Sequence, residues 1–150
     1  MLHSKITIPR LETHLHHSCN LKCDNCNHFS NYSIKADAIT TDLYDKENRP
    51  WSARIFPLVY QLCGGEPTLN SDLVEICYVA RDIWADSKIL LVSNGFFLHK
   101  HPELPRALQE NNIKLVVSVH DNSEKYNQKL DEVKTLLSSW LNEFKFELHY

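Results

Sequence analysis

The sequence predicts an α/β fold with a mainly parallel sheet of about five strands. Short apolar runs alternate with segments of helical periodicity, which is typical of parallel strands joined by crossover helices. The later apolar runs do not alternate with polar residues, as expected for strands that are covered on both faces. Because the residues with unusual chemistry come directly after these runs, we expect a site at the carboxyl ends of the strands.

The first half of the chain contains two predicted strands and one short helix. Residues 10–16 (RLETHLH) alternate and lead into the first cysteine, and residues 58–63 (LVYQLC) form a buried run that ends at a glycine pair. The intervening segment is polar and irregular, and it predicts a short helix near Thr41–Lys46 with a break at Pro50.

The second half of the chain repeats strand and helix. A helix capped by Asn70 or Ser71 comes first, a second helix covers 102–111, and a long amphipathic helix comes last. The predicted strands are 88–95, 113–119 and the start of a fifth at 145–149. The apolar face of the first helix contains Leu73, Ile76, Cys77, Ala80, Ile83 and Trp84, and that of the last contains Tyr126, Leu130, Val133, Leu137, Trp140 and Leu141.

Composition argues against several classes of protein. The 150 residues, 43% of them hydrophobic and 23% charged, are typical of one globular domain, 1–150. A net charge of −3 without a basic cluster argues against nucleic-acid binding. No run approaches the ~20 apolar residues that span a bilayer, and no signal peptide is evident. We expect a cytoplasmic protein without a membrane partner, whose five cysteines serve metal binding or catalysis rather than disulfides.

Three of the cysteines are clustered in HHSCNLKCDNCNHFS. Cys19, Cys23 and Cys26 have the spacing C-x-x-x-C-x-x-C. Thiolates are suitable ligands for iron–sulfur clusters, zinc or Cu(I). Three cysteines on a cubane cluster leave one iron open to a small molecule, whereas a structural zinc site would use His28 as its fourth ligand.

Further motifs follow the later strands. LCGGEPTLN places Gly64, Gly65 and Glu66 after the second predicted strand, where glycines let the backbone approach a ligand and a carboxylate accepts an ammonium. VSNG places Ser93 and Asn94 after the third. Ser118 and His120 lie at the end of the fourth. Taken alone, each of these segments predicts only a turn or a structural residue.

Together the motifs resemble those of the radical S-adenosylmethionine (radical SAM) superfamily. The resemblance implies an incomplete parallel (β/α) partial barrel of TIM-barrel-like type. It also implies a [4Fe–4S] cluster on the three cysteines, whose open iron binds S-adenosylmethionine. The Gly-Gly-Glu-Pro segment would hold the amino group of S-adenosylmethionine, with Ser93, Asn94 and Ser118 as further contacts. Asn25 departs from the family pattern, which has an aromatic residue near the adenine at that position.

The resemblance also implies an activity. An electron from the cluster would cleave S-adenosylmethionine, and the resulting 5′-deoxyadenosyl radical would take hydrogen from a small molecule, sugar or peptide. A reductant such as flavodoxin or ferredoxin would supply the electron. We assign no catalytic side chain, and His14, His16 and His17 receive no role. The alternatives are a small glycyl-radical activase that acts on a protein partner, and a non-catalytic metal-binding remnant with iron–sulfur or zinc.

The resemblance covers residues 10–150 but not every element of the family domain. The family barrel usually has six strands, and the sequence supplies four and the start of a fifth. We therefore expect a core domain truncated at its carboxyl end, and we also consider completion by a protein partner or a naturally short enzyme. Cys63 and Cys77 are interpreted as small buried side chains without a redox role.

Overall fold

The computed structural model describes residues 4–30 and 38–150, in which five strands form a single sheet. All neighbouring strands are parallel, and their order in the sheet, β1-β2-β3-β4-β5, is their order in the chain. The strands are β1 (Ile6–His14), β2 (Ile55–Cys63), β3 (Lys88–Ser93), β4 (Ile113–Val117) and β5 (Leu148–His149). The predicted α/β fold with a parallel sheet of about five strands is confirmed.

A helix follows each of the first four strands and packs on one face of the sheet. The helices are α1 (Thr41–Ser52), α2 (Leu73–Ile83), α3 (Leu104–Glu110) and α4 (Glu124–Glu143), with short 3₁₀ turns at Pro67–Leu69 and Leu98–Lys100. None of the helices in the described part of the chain is long and apolar enough to cross a membrane. The core lies between these helices and the sheet, and it includes Tyr60, Leu62, Ile76, Ile89, Leu91, Leu108, Leu115 and Leu137.

The opposite face of the sheet carries polar side chains. Side chains alternate along a strand, so the neighbours of the buried Tyr60 and Leu62 point the other way. Gln61 and Cys63 on β2, and Arg10 and Glu12 on β1, line a cavity on this second face. The sheet therefore separates an apolar core from a polar concave surface, as in a partial barrel.

Three predicted elements in the first half have wrong bounds, and one of them is the second strand, which begins at Ile55 rather than at residue 58. β1 begins at Ile6 and ends at His14, because Ile6 already pairs with Ile55 of the neighbouring strand. The first helix does not break at Pro50. It extends to Ser52, and Pro50 lies in its last turn, where a missing N–H removes only one helical hydrogen bond.

The predicted cap of α2 is also wrong. Asp72 is the N-cap residue, and Asn70 instead connects three segments of the chain. Its side-chain amide donates to the carbonyls of Leu15 and Ile39, both at 2.9 Å. An amide that satisfies backbone carbonyls across such sequence distances cannot be predicted from local capping preferences.

The later elements differ from the predictions at their ends. α3 begins at Leu104 with Pro105, rather than Pro102, in its first turn. The buried face of α4 is as predicted except for Leu141, which is 42% exposed because it lies beyond the edge of the sheet-facing stripe. β5 is a pair of residues, Leu148 and His149, bonded to β4.

Candidate functional site

A cavity at the carboxyl ends of the strands is lined by every residue that the sequence motifs indicate. Its volume is about 310 Å³. The nine predicted site residues in its lining are Cys19, Cys23, Cys26, Gly64, Gly65, Glu66, Ser93, Asn94 and Ser118. These residues follow four successive strands, and the parallel arrangement brings the four strand ends to one edge of the sheet.

The loop after β1 carries the three motif cysteines. Each of these cysteines is half-buried, and none forms a disulfide. Tight turns fold the loop: the Cys26 N–H donates to the Cys23 carbonyl at 3.3 Å, and the Phe29 N–H donates to the Cys26 carbonyl at 3.2 Å. Phe29 has a φ of 55°, which turns the chain back after the third cysteine.

The three thiols differ in how readily they ionise. Burial raises the pKa of Cys19, despite a hydrogen bond from the Leu21 N–H. Burial and the adjacent Cys26 raise the pKa of Cys23. Burial also acts to raise the pKa of Cys26, but N–H groups of residues 28–30 more than offset it and lower that pKa. Cys26 is therefore the thiol that is most easily converted to a thiolate, the form that binds metals.

In the described part of the chain, the ligand atoms of His28 and the three motif cysteines do not lie within 4.8 Å of one another. Within residues 4–30 and 38–150, one trio of histidine, cysteine or acidic side chains places its ligand atoms within 4.8 Å of one another. That trio is His14, His28 and Cys63, so His28 turns toward the ends of β1 and β2 rather than toward the motif cysteines.

The Glu66 carboxylate is the centre of a hydrogen-bond network in the cavity wall. Glu66 is 1% exposed. Its Oε1 accepts from the Thr68 N–H (3.0 Å), the Thr68 hydroxyl (2.6 Å) and the Ser93 hydroxyl (2.6 Å). Within the described residues, its Oε2 accepts only from the Asn94 N–H, at 2.8 Å. Among the described residues no cationic side chain forms an ion pair with this carboxylate, so a buried negative charge faces the cavity with acceptor capacity left at Oε2.

The glycine pair packs directly on the segment that leads to the first cysteine. The Gly65 N–H donates to the His16 carbonyl at 2.7 Å, and the Glu66 N–H donates to the Ser18 carbonyl at 3.0 Å. A Cβ on Gly65 would overlap the Ser18 carbonyl oxygen and lie 2.6 Å from that of His17. Gly64 has a φ of 144°, whereas Gly65 does not have a positive φ. Gly65 is thus required by the close approach of two backbones, and the pair fixes where Cys19 lies.

The Ser-Asn-Gly segment, which begins at the last residue of β3, forms hydrogen bonds with Glu66 and with the cysteine loop. The Ser93 hydroxyl donates to Glu66 and accepts from the Gly95 N–H at 2.9 Å. The Asn94 amide donates to the Asn20 side chain at 2.8 Å, and its nitrogen is 3.9 Å from the Cys19 sulfur. The main observed role of Ser93 is therefore to orient Glu66, and Asn94 connects the end of β3 to the cysteine loop.

The end of β4 completes this side of the cavity. Ser118 is half-buried, and its N–H donates to the Ser93 carbonyl at 2.9 Å. The Tyr126 hydroxyl donates to the Ser118 carbonyl (3.3 Å) and accepts from the His120 N–H (3.0 Å). His120 is exposed at the rim of the cavity, and Ser118 lies in its wall.

Among the lining residues that the sequence interpretation missed, four lie on the first two strands. Arg10 and Glu12 reach it from β1, and Gln61 and Cys63 reach it from β2. The alternation of side chains along β1 could have indicated Arg10 and Glu12, because these two residues share one face of the strand with His14. No comparable signal distinguished Cys63, which is buried as predicted but faces the cavity rather than the core.

Comparisons with known proteins agree with this geometry. No family model matches the chain. The sequence is 32% identical, over 136 residues, to the GTP 3′,8-cyclase of Aquifex aeolicus (strain VF5). This match covers 87% of the chain but 41% of that enzyme, so the chain spans less than half of its relative's length. The fold is similar to the crystal structure of BtrN in complex with AdoMet and 2-DOIA, with a TM-score of 0.63 and 17% identity, covering 97% of this chain and 58% of that one.

The sequence similarity and the shared fold both support the predicted membership of the radical SAM superfamily. The cavity meets the chemical requirements of the cofactors that the superfamily implies. Three unpaired thiols on one loop are the soft ligands that iron–sulfur clusters use. The buried Glu66 carboxylate has no cationic partner among the described residues, so a positively charged ligand would compensate its charge. Asn25, at the position where the family has an aromatic residue, is exposed but lies in the lining.

Proposed function

We propose that this radical SAM chain binds a [4Fe–4S] cluster on Cys19, Cys23 and Cys26, binds S-adenosylmethionine beside it, and cleaves S-adenosylmethionine reductively. The single observation that supports the proposal is the shared cavity, which collects three free thiols, an uncompensated buried carboxylate and the glycine pair. When bound, the cluster supplies the electron that converts S-adenosylmethionine to a 5′-deoxyadenosyl radical able to take hydrogen from a substrate.

The residues around Glu66 would bind and orient the methionine part of S-adenosylmethionine. An ammonium group needs hydrogen-bond acceptors, and the free acceptor capacity of Glu66 Oε2 faces the cavity. Ser93 and Thr68 hold the other oxygen, so the carboxylate is oriented before a ligand arrives. Preorganised charge of this kind binds a cation without first having to rearrange.

The inner face of the sheet suggests the class of substrate. Arg10, Glu12 and Gln61 line the cavity below the strand ends, and they offer both donors and acceptors. We therefore propose a polar small molecule as the substrate. A small electron-transfer protein such as flavodoxin or ferredoxin would act as the reductant.

Anaerobic reconstitution tests the proposed function. After treatment with iron and sulfide, the full chain should carry about four irons and four sulfides, the content of one [4Fe–4S] cluster. With S-adenosylmethionine and dithionite it should release 5′-deoxyadenosine, measured by liquid chromatography and mass spectrometry. A colourless protein that binds zinc but no iron would contradict the proposal, and so would a reconstituted cluster that yields no 5′-deoxyadenosine.

Replacing Glu66 with glutamine should weaken S-adenosylmethionine binding without changing the iron content. Glutamine keeps the size of the side chain and one carbonyl acceptor but removes the charge. A hydrogen bond to a charged group contributes about 1.5–3 kcal/mol, so we expect the affinity to fall by roughly 10- to 150-fold. Titration calorimetry on the anaerobically reconstituted proteins measures the change.

Glu12→Gln is the matched control for this substitution. Glu12 is the other carboxylate in the cavity lining, but it is exposed and forms an ion pair with Arg10 at 3.7 Å. Its replacement should leave the affinity for S-adenosylmethionine within about twofold. Equal affinities of the wild type and Glu66→Gln would remove Glu66 from the binding site.

A further inference from the structure

His14 and Cys63 are neighbours at the ends of the first two strands. They are the last residues of β1 and β2, and they pair with each other in the parallel register. Residues in register on adjacent strands project from the same face of the sheet. The Leu15 N–H donates to the Cys63 carbonyl at 2.8 Å, so the backbone holds the two strand ends together. An imidazole and a thiol are thus fixed side by side on the cavity face.

His28 brings a second imidazole to the same place. It lies in the turn that follows the third motif cysteine, and its ring packs edge-on against that of His14 with the centroids 4.6 Å apart. One ligand atom each from His14, His28 and Cys63 lies within 4.8 Å of the other two. Both histidines are half-buried and Cys63 is buried, and no hydrogen bond among residues 4–30 and 38–150 involves a ring nitrogen of either histidine.

From this geometry we propose that His14, His28 and Cys63 form a second metal site, and that it binds Zn²⁺. Two imidazole nitrogens and one thiolate are ligands that zinc prefers, and three protein ligands with an open fourth position are typical of zinc that also binds a small molecule. In a tetrahedral zinc site the ligand atoms lie about 3.5 Å apart, so the trio, whose ligand atoms lie within 4.8 Å of one another, has to close by at most about 1.3 Å. Side-chain rotation is sufficient for a movement of that size.

The surroundings of the trio support a metal ion. Burial raises the pKa of Cys63, so zinc binding has to displace the thiol proton. The Gly64 N–H and the Gln61 side chain act to lower that pKa, and such outer contacts orient a thiolate ligand. His28 and Cys63 line the 310 Å³ cavity. The fourth position would therefore open to the space where the substrate is expected, and it would accept an oxygen or nitrogen donor from a small molecule. None of its ligands is a motif cysteine, although His28 lies on the loop that carries them.

Zinc titration of the reconstituted full chain tests the second site. We expect one Zn²⁺ per chain in addition to the cluster, measured by competition with a chromophoric chelator and by elemental analysis. Loss of an outer contact to a metal ligand lowers metal affinity by about 10- to 100-fold. Because His14→Ala and Cys63→Ser each remove a ligand itself, each should lower the zinc affinity by more than about 100-fold. Their iron content should be unchanged. His120→Ala, a histidine at the cavity rim outside the trio, should bind zinc as the wild type does.

Cobalt spectroscopy assigns the ligand without relying on a loss of binding. In the full chain with Cys19, Cys23 and Cys26 all changed to alanine, the remaining thiols are Cys63 and the fully buried Cys77. Added Co²⁺ should then give the near-ultraviolet absorption of a cobalt–thiolate bond, and a further Cys63→Ser change should abolish it. Absence of this absorption in the first protein would overturn the second site. Stoichiometric zinc that persists in both His14→Ala and Cys63→Ser would overturn it too.

Discussion

Gly65→Ala is expected to destabilise the protein by about 3 kcal/mol and to prevent assembly of the cysteine loop. The added Cβ would overlap the Ser18 carbonyl oxygen, and the nearest atoms all belong to the backbone of residues 17 and 18, which cannot move without breaking the hydrogen bonds at His16 and Ser18. For a domain of this size the melting temperature should fall by roughly 6–12 °C. Thermal unfolding followed by circular dichroism measures the fall, and iron per chain after reconstitution reports on the loop.

Gly95→Ala distinguishes two physical causes. Gly95 has a φ of 84°, where an L-residue costs about 1–2 kcal/mol, but the atom nearest to its added Cβ is the tip of the Val133 side chain. If close backbone approach dominates, Gly65→Ala is the more damaging change although Gly65 does not have a positive φ. A larger loss of stability and of iron in Gly95→Ala than in Gly65→Ala would contradict our account of the glycine pair.

Much of the fold follows from patterns that are local in the sequence. Apolar runs that end at Cys63, Ser93 and Val117 mark the strands of the sheet, because the face that the helices cover needs apolar side chains. The stripe on α4 follows from helical periodicity alone. The errors arise where tertiary contacts override local preference. Asn70 has a good capping side chain, yet it bonds to backbone carbonyls 55 and 31 residues away.

The candidate site was predictable as a set of residues but not as a set of contacts. Motif spacing indicated nine of the residues that line the cavity. It could not indicate that the Ser93 hydroxyl donates to Glu66, or that the glycine pair packs on residues 16–18. These contacts depend on how far apart the strand ends lie. The cluster of His14, His28 and Cys63 depends on the β1–β2 register, which a single sequence does not fix.

Replacing any one of Cys19, Cys23 or Cys26 with alanine should abolish cluster retention and production of 5′-deoxyadenosine. Each thiolate would bind a different iron of a cubane cluster, so the loss of one leaves a second iron without a protein ligand. The loop itself offers no substitute, because the two remaining cysteines lie on other elements: Cys77 is in the core on α2, and Cys63 faces the cavity from the end of β2. Iron and sulfide analysis after anaerobic desalting, together with the brown absorption of the reconstituted protein, measures retention.

Cys77→Ala is the matched control, because this thiol lies in the core away from the cavity. Burial raises the pKa of Cys77 to about 12, and this side chain lies in the core on α2 rather than in the cavity lining. Its replacement should cost about 1 kcal/mol of stability through lost packing and leave the iron content unchanged.

Cys63→Ala should also keep its iron, although it removes a ligand of the proposed zinc site. Full iron content in a Cys26→Ala protein would contradict the assignment most directly, since Cys26 is the motif thiol whose pKa the loop lowers. Loss of iron in Cys77→Ala, with folding intact, would show that iron retention does not report on the cysteine loop.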